Sequence, residues 1–323
     1  MKPDGFAADL YRKPEVLQRL AATLTSGNPW ADVVPPNVER VVLLGMGSSA
    51  YAGGVAAARM RARGLVASSE LASSQLLPGW GAGTLVVATS ASGGSVETLD
   101  ALDRLPDGVS TVALTNTAGS AITRRCDAVV DLEAEPEVGG VACRSYQHTI
   151  ALLLALECHL AGEDTAALSS SVAAAADASA YLISTESNWL PALSELLLGQ
   201  AGTHLAAPAH RYCSAQQGAL MLREGPRLPA VGCETGDWSH VDVYLTKTTD
   251  YRLLVFAGSV WEPQLAEWTT ARGSTVVGVG ASVRGARYEV RYPGDSDDDV
   301  RLLTEVLVPE LLAARAWRAA ATP

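Results

Sequence analysis

The sequence reads as a doubly wound, parallel α/β fold present in two copies. Three observations predict this. Short apolar runs rich in β-branched residues alternate with helix-length stretches, as in βαβ units. The runs are apolar at consecutive positions, the mark of strands buried on both faces. The order strand, helix, strand, helix, strand occurs twice in 323 residues, a length beyond one ordinary domain. Composition agrees: 48% of residues are apolar, 18% charged and only 6% aromatic, which suits a sheet covered by helices on both faces.

The first repeat places strands at "RVVLLG" (40–45), "TLVVATS" (84–90) and "STVALTN" (110–116), with helices at 49–64 and 94–105 between them. An Ala-rich helical region over 141–185 leads to the second repeat. There, strands fall at "THLAAPA" (203–209), "YRLLVFAGS" (251–259) and "STVVGVG" (274–280), with helices at 213–225 and 262–273. The last stretch, "VRLLTEVLVPELLAARAWRAA", predicts a helix broken or kinked near Pro309. The expected organisation is an N-terminal segment over 1–30, a first domain over 31–180 and a second over 181–323.

A net charge of -11 argues against nucleic-acid and anionic-membrane partners. It does not oppose a small anion held by a local nest of amides. Five cysteines without a CxxC pair suit reduced thiols in a cytoplasmic protein. The polar N-terminus shows no signal peptide, and the apolar run "TIALLLALE" is too short to span a bilayer. The histidines show no ligand spacing, so neither a metal nor a cofactor is expected.

In an open parallel sheet, ligands sit outside the carboxyl ends of the strands. Two loops occupy such places: "GMGSSAYAGG" (45–54) and "SASGGSVET" (90–98). Both offer glycines for close approach, hydroxyls, and amides at a helix N-terminus, a set of neutral donors that together suit a phosphate. The first departs from GxGxxG at Ala50, and no lysine-containing phosphate loop is present. Helix capping by the same serines is the simpler alternative for either loop alone.

These loops, with "EVGGVACRSYQHTIALLLAL", "YCSAQQGALMLREGP" and "GDWSHVDV", resemble the sugar isomerase (SIS) domain family. The resemblance spans nearly the whole chain as two SIS-type, flavodoxin-like domains, without a glutaminase domain. It implies a phosphosugar-binding protein, expected to be a homodimer. By position, Ser49, Ser90, Ser92 and Ser95 match phosphate and sugar-hydroxyl donors; Gly47 and Ser48 lie beside them in the expected binding set, Ser48 adding its amide. Ala91 stands where glutamine is common, and Val141 and Ala142 match the segment that lines the sugar. Glu224 matches the residue that moves a proton between C1 and C2. Its place at a helix C-terminus predicts a raised pKa, because the helix dipole disfavours the carboxylate there. His240 matches a ring-opening histidine that often reaches the neighbouring subunit's site.

The pattern also breaks. Met221 stands where aminosugar-forming relatives carry a lysine, and the chain ends "WRAAATP" where they carry another. Ala207 and Ala209 replace glycines in the second repeat, which is expected to bind no phosphate of its own. The function implied is aldose–ketose isomerisation of a phosphosugar, or amine release from an aminosugar phosphate. The alternative is a non-catalytic phosphosugar sensor or carrier.

Overall fold

Val41–Leu44, Leu85–Ala88 and Val112–Leu114 are each buried at consecutive positions, as strands enclosed on both faces must be. In the computed structural model, which describes residues 1–321, these runs form the centre of a parallel sheet. Two helices, α1 (Pro3–Tyr11) and α2 (Lys13–Ser26), precede it. The sheet follows as β1 (Arg40–Gly45), α3 (Ser48–Ala62), β2 (Ala67–Leu71), β3 (Thr84–Thr89), α4 (Val96–Asp103), β4 (Ser110–Thr115) and β5 (Ala128–Asp131). Helices α5 (Arg144–Leu160), α6 (Ala166–Ser184) and α7 (Glu186–Leu197) come next.

The second sheet is built from β6 (Thr203–Ala207), α8 (Tyr212–Glu224), β7 (Ala230–Glu234), β8 (Arg252–Phe256), α9 (Glu262–Ala271), β9 (Thr275–Val279) and β10 (Tyr288–Val290). Two helices, α10 (Asp298–Thr304) and α11 (Leu307–Ala321), close the chain. The strand orders are β2-β1-β3-β4-β5 and β10-β9-β8-β6-β7, every neighbouring pair parallel. With β6–β10 taken as a second copy of β1–β5, the two orders are the same. The duplication therefore extends to topology.

The chain divides into two units, and neither is one continuous stretch. The first-sheet unit comprises Val16–Pro136 and Arg144–Val172. The second-sheet unit comprises Met1–Glu15, Glu137–Cys143 and the chain from Ala173 onward. In the first, Val42, Leu44, Trp80, Val86 and Ala101 pack together. In the second, Trp238, Tyr251, Leu253, Val255 and Leu265 do so.

The helix is broken near Pro309, as expected. The break falls between Thr304 and Leu307, and Pro309 is the third residue of α11. An N–H there would have no intrahelical partner, so proline is tolerated. Helix α6 is long and apolar enough to cross a membrane. Its Leu168, Val172, Ala175, Ala178 and Leu182 are buried at helical spacing, the pattern of a helix lying on a protein core.

Candidate functional site

The order of the first sheet reverses between β1 and β3, which are neighbours with Leu44 opposite Ala88. That is the switch point at which α/β sheets bind ligands. The two loops singled out in the sequence leave these adjacent strand tips. At the first, Gly47 takes φ 49° and ψ -124°, and α3 starts with no side chain capping it. The Ser49 amide bonds the Met46 carbonyl at 3.1 Å, turning the chain tightly into the helix. An uncapped helix start flanked by the half-buried Ser48 and Ser49 is an anion-binding arrangement.

The second loop is drawn inward by β4. The Ser90 amide donates to the Leu114 carbonyl at 3.1 Å, and Ser90 is 6% exposed. The Ala91 carbonyl accepts from the Asn116 amide and the Thr117 hydroxyl, each at 3.1 Å. Gly93 has φ 64°, and a Cβ there would stand 2.5 Å from the Ser120 Cβ. Ser92 is exposed, its Oγ 3.4 Å from the Gly94 amide. Ser95 behaves differently, since it is the N-cap of α4. Its hydroxyl accepts from Thr98 Oγ1 at 3.1 Å and donates to Glu97 at 3.0 Å. A phosphate could use that hydroxyl only by displacing Glu97. The simpler capping role thus holds for Ser95 and α4, whereas α3 is left open.

The first-sheet unit therefore brings together Gly47, Ser48, Ser49, Ser90, Ala91, Ser92 and Ser95. Val141, Ala142, Glu224 and His240 belong to the second-sheet unit. Within it, the Ala142 carbonyl accepts from Gln217 Nε2 at 3.0 Å. Gln217 and Glu224 lie two turns apart on one face of α8. Val141 and Ala142 are thereby tied to the helix that carries Glu224. Burial pushes the half-buried Glu224 carboxyl above its ordinary pKa, and the neighbouring Arg223 pulls it back. The direction is the expected one; the leading cause is burial.

His240 sits elsewhere. α8 returns from the carboxyl end of β6 toward the amino end of β7, so Glu224 lies at the amino end of the sheet. His240 follows the carboxyl end of β7 and is exposed. Five residues of strand, ~16 Å, separate these two ends. The turn bearing His240 is anchored on both sides. Trp238 Nε1 donates to the Tyr251 hydroxyl at 2.8 Å, and that hydroxyl donates to Asp242 at 3.3 Å.

Two features escaped the sequence reading. Thr115, Asn116, Thr117 and Ser120 buttress the Ser90–Ser95 loop from behind. The Ser120 hydroxyl is buried and finds no partner among the described residues. The polar run "TNTAGS" after a strand was the available signal. In the second sheet, Arg211 fills the corresponding switch point between β6 and β8. Its Nη2 donates to the Ala257 carbonyl at 2.5 Å, and its Nη1 pairs with Glu305. Glu262 Oε1 accepts the amides of Gly258 and Ser259, occupying the place an anion would take.

Fold and loops together define a class: tandem flavodoxin-like domains with a hydroxyl- and amide-lined switch point in the first. Residues 37–157 match the SIS domain family model, and the second sheet repeats the strand order of the first. It is similar to glutamine–fructose-6-phosphate aminotransferase [isomerizing] of Pyrobaculum aerophilum, at 26% identity over 326 residues. That match covers 95% of this chain and 51% of the relative, so the chain spans about half the length of this curated relative. Among solved structures, the C-terminal domain of glucosamine-fructose-6-phosphate aminotransferase from Francisella tularensis superposes with TM-score 0.80 at 16% identity. The match covers 99% of this chain and 97% of that one. Tagatose-6-phosphate ketose/aldose isomerase from Escherichia coli gives TM-score 0.82 at 14% identity, covering 98% and 93%.

Proposed function

We propose that the protein binds a phosphorylated sugar and moves a proton between its C1 and C2. The reaction is aldose–ketose isomerisation of the phosphosugar, or amine release from an aminosugar phosphate, in which the same proton transfer gives a C2 imine that water hydrolyses to ammonia and the ketose phosphate. One observation carries this reading: two Ser/Gly loops on adjacent strand tips at the first switch point, one leading into a helix with no side-chain cap. Ser49, Ser90 and Ser92 hold the phosphate with the first amides of α3, and Ser95 joins them by exchanging Glu97 for the ligand. Val141 and Ala142 line the sugar. The Glu224 carboxylate takes the proton from the carbon beside the carbonyl; the C–H pair forms the C1–C2 double bond and the carbonyl π pair moves onto its oxygen. A proton passes from one oxygen to the other, and Glu224 returns its proton to the other carbon as the new carbonyl forms. His240 assists ring opening. Since it lies at the opposite end of the second sheet from Glu224, it serves the site of a second copy in a homodimer. The setting is the cytosol.

Met221, fully buried where a lysine would stand, favours a second reading, a phosphosugar sensor without catalysis. NMR of C2 hydrogen exchange in deuterated water, with fructose 6-phosphate and glucosamine 6-phosphate, separates the two. Exchange lost in Glu224→Gln supports the enzyme; thermal stabilisation by either sugar without exchange supports the sensor. Neither exchange nor stabilisation by any hexose phosphate sinks both.

A further inference from the structure

The segment Glu137–Cys143 has no regular structure of its own, yet every part of it is held by the second-sheet unit. Asp9 of α1 is 2% exposed, and its carboxylate grips two successive amides. Oδ1 accepts from Val138 N at 3.2 Å and Oδ2 from Gly139 N at 2.7 Å. The Gly139 carbonyl accepts from Lys2 N at 3.0 Å. A Cβ on Gly139 would stand 2.5 Å from the Phe6 Cα, so the helix backbone lies directly on the segment. At the far end, Glu137 Oε1 accepts the Cys143 amide at 2.7 Å, and Gln217 holds the Ala142 carbonyl.

One helical turn beyond Asp9, Lys13 pairs with Glu310 of α11, both side chains fully buried. Burial and the carboxylates of Glu137, Glu310 and Asp9 push the Cys143 thiol well above its ordinary pKa, while Lys13 opposes them. The cation and carboxylates thus lie close to the segment's end. A buried carboxylate accepting two amides fixes backbone more firmly than neutral hydrogen bonds do.

We propose that Asp9 is a positioning residue for the sugar. By gripping Val138 and Gly139 it sets Val141 and Ala142, and with Gln217 it ties that wall to the helix of Glu224. This rests on the reading under Proposed function that Val141 and Ala142 line a phosphosugar. Helix α1, far away in sequence from the strand-tip loops, thereby shapes sugar recognition and leaves phosphate binding alone.

The test is Asp9→Asn in the full chain, which replaces one of the two acceptor oxygens by an amide donor. Three measurements are read: hydrogen exchange of the peptide covering 137–143, affinity for fructose 6-phosphate, and affinity for inorganic phosphate. The expected result is faster exchange in that peptide and about ten-fold weaker sugar-phosphate binding, with phosphate affinity unchanged. Asp9→Glu, which keeps the carboxylate, should restore much of the loss. If Asp9→Asn does not fold, Gln217→Leu is read in the same way, with the same split expected. Equal losses of sugar-phosphate and phosphate affinity, or no change in either, overturn the proposal. A wild-type protein that binds no hexose phosphate overturns the functional reading and this inference together. A wild type that binds, alongside a variant that binds equally well, overturns the inference alone.

Discussion

Arg211 and Glu305 form an ion pair with side chains 1% and 0% exposed, at the point of the second sheet that corresponds to the open switch point of the first. Duplication has given the two sheets one topology and two fates. In the first, α3 starts behind a strand tip with no side-chain cap; in the second, a guanidinium and Glu262 bond the groups at the strand tips. Breaking a buried pair leaves one charge uncompensated, at a cost of about 3–5 kcal/mol. At pH 8, above the raised Glu305 value of about 7, Arg211→Leu should therefore lower the urea-unfolding free energy by roughly that amount, and Arg211→Leu/Glu305→Leu should recover much of it. A single variant as stable as the wild type would contradict this account.

Stability should also fall as pH rises through the mildly acidic range. Burial pushes both Glu305 and Glu310 up to about 7 from 4.5, with Arg211 and Lys13 pulling the other way. Each group holds its proton in the folded chain at pH values where the unfolded chain has released it. Their contribution is fully present below about 4.5 and lost as pH rises to about 7. Unfolding free energies measured at pH 5, 6, 7 and 8 should decline and then level, and Glu310→Gln should reduce the slope. A flat profile between pH 5 and 7 in the wild type would contradict the assignment.

Gly93 and Gly54 should respond to alanine with opposite signs. At Gly93 the backbone has φ 64° and a new Cβ would run into Ser120, 3.1 Å from Thr115 Oγ1. Gly93→Ala should cost about 1–3 kcal/mol in strain and abolish stabilisation by hexose phosphates. Gly54 is exposed within α3, with nothing within 4 Å of an added Cβ. There alanine should stabilise by up to about 1 kcal/mol through helix propensity. Thermal melts with and without fructose 6-phosphate check both.

The central strands were legible because Val42, Val86 and Val112 sit in unbroken apolar runs. The outer strands β2, β5, β7 and β10 were not, since "ASSEL" and "YEV" are half-exposed and carry no such run. The Ser/Gly loops were legible by composition, but not the difference between them. Whether Ser95 caps its own helix depends on an N-cap geometry that sequence leaves open. Nor could spacing show that Asp9 reaches Gly139, a contact across 130 residues. Arg211 carried no local signal, because its partners lie just past β8 and in the turn between α10 and α11.

Glu224 sets the last prediction. A proton-shuttling base works only when ionised, and burial disfavours its ionised form. The rate of C2 exchange should therefore fall on acidification with a midpoint above the ordinary carboxylate value of 4.5. The exposed Arg223 holds that midpoint down, so Arg223→Ala should move it to higher pH, and high salt should shrink the difference by screening. Glu224→Gln should lower the rate by about 10²–10⁴ and remove the acid limb altogether. A residual rate in that variant with the limb intact would transfer the proton to another group, and Glu224 would be left as the half-buried last residue of α8.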